Sequence, residues 1–181
     1  MTIPMASSTA SASAVRHVPG AQAGWWLEDA VPGRVIAHAH GRTIDEAEHV
    51  WLAWVTHNVS DVHGNAHRAA HGAFGQPVVL GALTVAIVIG LAEPATADAQ
   101  SVAGSLPAGW RSIVLRGPVV PGDTLRATSL IAGATAAGSD GVGLVTRTIT
   151  GYNQRGEEIA HIEEVERGVP SRPADVDIGR G

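Results

Sequence analysis

The sequence predicts an α+β domain in which a curled antiparallel sheet wraps around one buried helix. A strand-like segment comes first, helical segments follow, and strand-like segments fill most of the remaining chain. Residues 81–92 carry no charge and a single hydroxyl group, as expected of a core element. A chain of 181 residues with 45% hydrophobic residues suits one domain with a substantial core.

The first strand is predicted over residues 34–40, where the side chains alternate between two faces. His38 and His40 share one face. Because histidines on a strand usually lie at the surface, we expect both rings to be exposed.

A helix is predicted to begin at Thr43, which can act as the N-cap and form a capping box with Glu46. It should end near residues 57–58. Its apolar residues form one stripe that we expect to face the core, namely Val50, Trp51, Trp54 and Val55.

The apolar run at residues 81–92 is ambiguous by periodicity alone. Its β-branched residues favour a strand, whereas its alanines and leucines favour a helix. We assign a helix that is buried on every side, and about 18 Å is too short to cross a bilayer.

Four further strands are predicted, and they are separated by turns rich in glycine, asparagine and aspartate. They cover residues 110–115, 124–132, 142–153 and 158–167. Alternation over residues 142–153 predicts that Val145, Arg147 and Ile149 share one face. In the last strand we expect Ile159, Ile162 and Val165 to point inward.

Composition excludes several classes of function. A net charge of −5 with scattered arginines does not fit a nucleic-acid-binding surface, and the absence of cysteine excludes disulfides and a thiolate nucleophile. The first 24 residues lack the features of a secretory signal and are expected to form a disordered tail, so a cytoplasmic protein without a membrane segment is expected. The predicted domain covers residues 25–168, and residues 169–181 are expected to be a flexible tail.

Four histidines precede the apolar run: His57, His63, His67 and His71. The last three are spaced by four and could line one helix face as metal ligands. However, Gly64 replaces the glutamate of an HExxH motif, and Gly64 and Gly72 interrupt a helix, so no metal is expected. The alternatives are histidines without a specific task and general acid–base catalysis.

A family resemblance favours catalysis. Residues 41–92 resemble the MaoC-like (R-specific enoyl-CoA) hydratases of the hot-dog fold. His63 stands at the family's histidine, whereas Asn58, Asp61 and Asn65 replace its Asp, Pro and second Asp. Residues 74–77 (Phe-Gly-Gln-Pro) match the family's Phe-Gly-x-Pro, and Leu80-Gly81 takes the place of its His-Gly.

The similarity is strongest to the mesaconyl-CoA hydratase/β-methylmalyl-CoA dehydratase branch, which also carries Thr-x-Asn-x-x-x-x-His, here Thr56, Asn58 and His63. The resemblance extends over residues 25–167 and implies a single hot-dog domain, which supports the assignment of a helix at residues 81–92.

The resemblance implies an enoyl-thioester hydratase or 3-hydroxyacyl-thioester dehydratase that needs no cofactor beyond its CoA or carrier-protein thioester. His63 would be the general acid/base, with Asn58 and Asp61 as further catalytic candidates. Asn58 cannot carry a proton but can orient water or His63, and Asp61 could supply a carboxylate. The substrate-binding candidates are Phe74, Val79, Leu80, Gly81 and Thr84.

In this interpretation the amide of Gly81, at the start of the buried helix, would bind the thioester oxygen. For three residues other roles stay open: a helix C-cap for Asn58, simple packing for Gly81, and a hydroxyl bonded to its own helix for Thr84. A homodimer or higher homo-oligomer is also expected from the resemblance. A hot-dog thioesterase and a non-catalytic biosynthetic protein that binds a thioester or product remain alternatives.

Overall fold

A computed structural model describes residues 26–93 and 107–171. A 3₁₀ helix at Leu27–Asp29 precedes the first strand. The regular elements then follow in the order β1 (Val35–Thr43), α1 (Glu46–Val55), α2 (Asp61–Gly64), α3 (Ala66–Ala70), α4 (Gly81–Leu91), β2 (Pro107–Leu115), β3 (Thr124–Ala134), β4 (Val142–Tyr152) and β5 (Glu158–Pro170). The predicted N-terminal tail lies outside the described residues, as does most of the predicted C-terminal one.

The five strands form one antiparallel sheet in the order β1-β3-β4-β5-β2. Helix α4 packs against β1, β3, β4 and β5, and its buried residues form one core with the inward residues of the sheet. The predicted α+β architecture is therefore confirmed. Across the described ranges, the helices are all too short or too polar to cross a bilayer.

Helix α4 is buried on one side only. Thr84, Ile87 and Val88 face the sheet, and they follow the spacing of three and four expected of a helix face. A Cβ atom at Gly151 would lie 2.5 Å from the Cγ2 atom of Val88, so β4 approaches the helix closely at that glycine. The opposite side carries the small residues Ala82, Ala86 and Gly90, which are exposed. The expectation of burial on every side is therefore wrong for this chain.

Helix α1 begins two residues later than predicted. Thr43 pairs with Thr124 as the last residue of β1, so it is not available as a cap. Asp45 takes that position, its side chain accepts from the amide of Ala47, and Glu48 closes the capping box. A capping box is therefore present as predicted, but it lies two residues further along the chain because Thr43 belongs to β1.

The predicted apolar stripe of α1 faces outward. Trp51 and Trp54 are 62% and 72% exposed and Val55 is exposed as well, whereas His49 and Ala53 are buried. The inner side of α1 is selected by a hydrogen bond from His49 to the segment that follows the helix. A stripe of large apolar residues did not indicate the core side here, because a polar contact decides the orientation.

A polar group lies between two parts of the core. Arg147 on β4 is buried together with its neighbours on the same face, Val145 and Ile149, as the alternation predicted. Its guanidinium contacts Glu164 Oε2 at 2.5 Å and donates to the carbonyl of Ala92 at 2.8 Å. The cation therefore binds the carbonyl end of α4, where the helix dipole is negative.

His38 is not the surface residue that the strand pattern predicted. Its Nε2 atom lies 2.8 Å from the hydroxyl of Ser129, a fully buried residue on the neighbouring strand β3. Burial, together with the charge of Arg147, lowers the pKa of His38 from 6.5 to about 4. His40 is exposed, as predicted.

The last strand extends beyond the domain boundary predicted at residue 168. Val169 is fully buried and pairs with Gly143, and the amide of Ser171 donates to the carbonyl of Gly141. Of the three inward residues predicted for this strand, Ile159 and Ile162 are buried. The side chain of Val165 lies outside the described part.

Candidate active site

His63 is held by the segment that leads into α4. Its Nδ1 atom lies 2.7 Å from the carbonyl oxygen of Val78, and the amide of Val78 donates to the carbonyl of Val62 at 3.0 Å. These two hydrogen bonds connect α2 to the chain three residues before Gly81. They place the His63 side chain against Val78, three residues before the first residue of α4.

The bond to Val78 defines the tautomer of the neutral ring. A carbonyl oxygen can only accept, so Nδ1 of His63 carries the proton and donates it. Nε2 then holds the lone pair, and the side chain is partly exposed. A neutral His63 therefore offers a proton acceptor at Nε2, which is the form that a general base requires.

The N-terminus of α4 has no side-chain cap. Leu80 is the N-cap residue and cannot accept a hydrogen bond through its side chain, and Gly81 is the first helical residue. Its amide has no acceptor within the helix, and the dipole is positive at this end. A Cβ atom at position 81 would lie 2.5 Å from Cδ1 of Leu115, so β2 covers the glycine.

The other residues predicted to bind substrate differ in exposure. Val79 and Leu80 are buried, and the amide of Val79 donates to the carbonyl of Val119 at 2.8 Å. Thr84 is buried, and its hydroxyl lies 3.4 Å from the carbonyl of Leu80 in its own helix. Phe74 is half exposed. The structure thus gives Thr84 the helix-bonded role that was one of its two interpretations.

The C-cap residue of α1 is Thr56, and Asn58 is the second residue after it in a Schellman motif. His57 adopts a left-handed conformation with φ of 52°, and the amides of His57 and Asn58 donate to Trp54 and Ala53. The Asn58 side-chain oxygen accepts from the amide of Ser60 at 3.0 Å. Its side-chain nitrogen has no protein acceptor within the described ranges, so it can still donate to a water or a ligand.

Asp61 is not brought to the imidazole of His63. One of its oxygens lies 2.8 Å from Arg68, and the other accepts from Asn65 at 3.3 Å. In the described part of the chain these are its only side-chain hydrogen bonds. The suggestion that Asp61 supplies a carboxylate to His63 therefore finds no support in the geometry.

The three histidines considered as metal ligands do not share one helix face. Asn65 interrupts the helix, so His63 belongs to α2 and His67 to α3. The rings of His67 and His71 lie 5.0 Å apart, but among the residues described no set of three His, Cys, Asp or Glu side chains could hold a metal ion.

His49 is a site residue that the sequence analysis missed. Its Nε2 atom lies 2.9 Å from the carbonyl oxygen of His63, and the two rings meet edge to face at 6.1 Å. It is fully buried, and its Nδ1 atom has no hydrogen-bond partner within the described ranges. A buried unpaired polar atom costs about 1–3 kcal/mol. No motif or spacing in the sequence distinguished His49 from the other polar residues of α1, which also carries Trp51 and Trp54.

Comparison with known proteins agrees with the predicted family. Residues 28–153 match the model of the MaoC like domain. The β-methylmalyl-CoA dehydratase of Chloroflexus aurantiacus is 30% identical over 131 residues, which are 72% of this chain and 35% of the relative. The chain therefore spans about a third of the length of that relative.

Solved structures agree with the fold. The MaoC-like dehydratase of Rhodospirillum rubrum superposes with a TM-score of 0.69 at 26% identity, over 83% of this chain and 99% of that one. A Mycobacterium tuberculosis protein with a double hot-dog fold superposes with a TM-score of 0.67 at 19% identity, over 86% of this chain and 47% of that one. The predicted single hot-dog domain is thus confirmed as a fold, and the chain belongs to the MaoC-like domain family.

Proposed function

We propose that this protein is a hydratase/dehydratase that adds or removes water at the α,β position of an acyl thioester. The observation that carries the proposal is the hydrogen bond from His63 Nδ1 to Val78, because it leaves the lone pair on Nε2 of the neutral ring, an atom without a hydrogen-bond partner in the part of the chain that the structure describes. The dehydratase and MaoC-like relatives support the reaction class.

In hydration, Nε2 of His63 accepts a proton from water while the water oxygen forms a bond to the β-carbon. The electrons of the double bond move through the α-carbon onto the thioester oxygen and give an enolate. The protonated imidazole then returns its proton to the α-carbon, so no atom or charge is left over. One histidine serves as base and then as acid, and dehydration is the reverse sequence.

The enolate oxygen would be stabilised by the free amide of Gly81. A preorganised donor of this kind contributes about 3 kcal/mol to the transition state, and the helix dipole of α4 adds to it. As the first amide of α4, that of Gly81 has no acceptor within the helix. Asn58 would orient the attacking water through its free side-chain nitrogen.

The test measures the loss or gain of the conjugated thioester absorbance with short and branched enoyl-CoA and 3-hydroxyacyl-CoA thioesters. We expect His63→Ala to lower kcat by about 100- to 10,000-fold. The matched control is His67→Ala, an exposed histidine four residues away, which should keep its turnover. Full activity of the His63→Ala protein would remove His63 from the mechanism.

Two further measurements with the same thioesters separate the alternative functions. Release of free thiol without a change in the double bond would indicate a thioesterase. A thermal shift with a thioester but no turnover would indicate a protein that only binds. The feature that supports the binding protein as an alternative is the replacement of the family's Asp, Pro and second Asp by Asn58, Asp61 and Asn65.

We also propose a homodimer or higher homo-oligomer. Ile113, Val114 and Leu115 on the edge strand β2 are exposed, and so is the Ala82 side of α4. Exposed apolar surface of this kind is typical of a protein interface. Light scattering coupled to size exclusion would give the mass, and a monomer of 18.6 kDa at working concentration would contradict this expectation.

A further inference from the structure

His49 has no place in the proposed reaction, yet it is fully buried in contact with His63. Its ring lies on the inner side of α1, and its Nε2 atom reaches the backbone carbonyl of a residue 14 positions later. Since a carbonyl only accepts, His49 in its neutral form carries the proton on Nε2. The buried Nδ1 then holds an unpaired lone pair.

Stability alone does not explain a histidine at this position. An apolar side chain of similar size would fill the space without a buried unpaired nitrogen, and buried polar atoms without partners are unfavourable. What an apolar residue would lose is the donor to the carbonyl of His63. The N–H group that His49 donates to this carbonyl is therefore the property that must explain why a histidine stands at this position.

The bond acts on the geometry of His63 through its backbone. The side chain of His63 is tied to the Val78 carbonyl at 2.7 Å, and its backbone is tied to His49 at 2.9 Å. With the side chain and the backbone of His63 both held, the direction of its Nε2 atom is determined by two separate elements, α1 and the segment before α4. Without the second bond, α2 is a single helical turn whose position is less defined.

We propose that His49 is a positioning residue that fixes the backbone of His63 and thereby the direction of its Nε2 atom. The effect of His49 on the rate rests on the proposed function, whereas its effect on the position of His63 can be measured without turnover. Positioning matters because a displacement of about 1 Å in a reacting group can cost on the order of 100-fold in rate.

The test uses two amide substitutions that differ in reach. Glutamine places its side-chain nitrogen the same number of bonds from Cα as Nε2 of histidine, whereas asparagine places it one bond nearer. We expect His49→Gln to keep most of the turnover. We expect His49→Asn to lose on the order of 10- to 100-fold in kcat with little change in KM, because the substrate contacts remain. His40→Gln, at an exposed histidine, is the matched control.

Long-range ¹H–¹⁵N spectra of the histidine rings provide the second readout, recorded where both rings are neutral. In the unmodified protein we expect His49 as the Nε2–H tautomer and His63 as the Nδ1–H tautomer. The His49→Gln protein should retain the signal of His63, whereas in the His49→Asn protein the ring signals of His63 should shift and broaden while the tautomer set by Val78 stays Nδ1–H.

A His49 ring protonated on Nδ1 in the unmodified protein would overturn the proposal, and so would ring signals of His63 that keep their position and width in His49→Asn. These spectra need no substrate. If no thioester is turned over at all, the proposed function fails while the positioning role is still decided, and if the asparagine variant does not fold, the unmodified protein still gives the tautomer of His49.

Discussion

The pH dependence of stability is where the partly buried His38 should have its clearest effect. Its ring contacts Ser129 at 2.8 Å on β3, and Arg147 on β4 is the cation that acts on it. Burial and that cation lower its pKa from 6.5 to about 4. Between these two values the unfolded chain binds a proton that the folded protein does not, so folding is progressively disfavoured as the pH falls.

The magnitude follows from the two pKa values. At about 1.36 kcal/mol for each pH unit, the full effect is about 3 kcal/mol below pH 4, and this is an upper limit because the ring is partly exposed. By pH 5 the loss relative to pH 7.5 should be about 2 kcal/mol. That is a large fraction of the stability of a typical domain.

The assay is urea unfolding at a series of pH values with the unmodified protein and His38→Gln. Glutamine can still hydrogen-bond to the Ser129 hydroxyl but does not titrate. We therefore expect the difference in free energy of unfolding between the two proteins to change by about 2 kcal/mol from pH 7.5 to pH 5. His40→Gln on the same strand controls for the loss of a histidine. A constant difference across this range would refute the reasoning.

Three further substitutions test the packing. Gly151→Ala should cost about 1–3 kcal/mol, because its Cβ would press on Val88 at 2.5 Å, and an unchanged thermal midpoint would contradict that contact. His57→Gly should stabilise the fold by about 1 kcal/mol in urea unfolding, since φ is 52° there; a loss of stability would show that the ring makes a contact worth more than the strain. Arg147→Met should cost about 3–5 kcal/mol by calorimetry, because the fully buried Glu164 loses its cation, and a neutral result would argue against a charged pair.

Elements whose environment is set by their own sequence pattern could be predicted closely. The alternation in β4 correctly placed Val145, Arg147 and Ile149 on one buried face. The start of α4 at Gly81 also agrees with the sequence assignment, although the choice of helix over strand needed the family resemblance. The β4 prediction rests on local periodicity alone, which the chain shows directly.

The orientation of α1 could not be obtained in this way. Its apolar stripe gave the wrong inner side, because the helix turns His49 inward to reach the carbonyl of His63. No pattern within the helix contains that acceptor. His38 was misassigned for the same reason, since its partner Ser129 lies 91 residues further along the chain.

The sequence by itself determined the layered architecture, the turns, and the presence of a histidine ahead of the central helix. Tertiary structure alone decided which nitrogen of His63 carries the proton, that the carboxylate of Asp61 pairs with Arg68, and that His49 hydrogen-bonds to the carbonyl of His63. The physical reason is that periodicity reports which side of an element avoids water. Hydrogen-bond partners are chosen by backbone atoms that the fold brings together from distant positions.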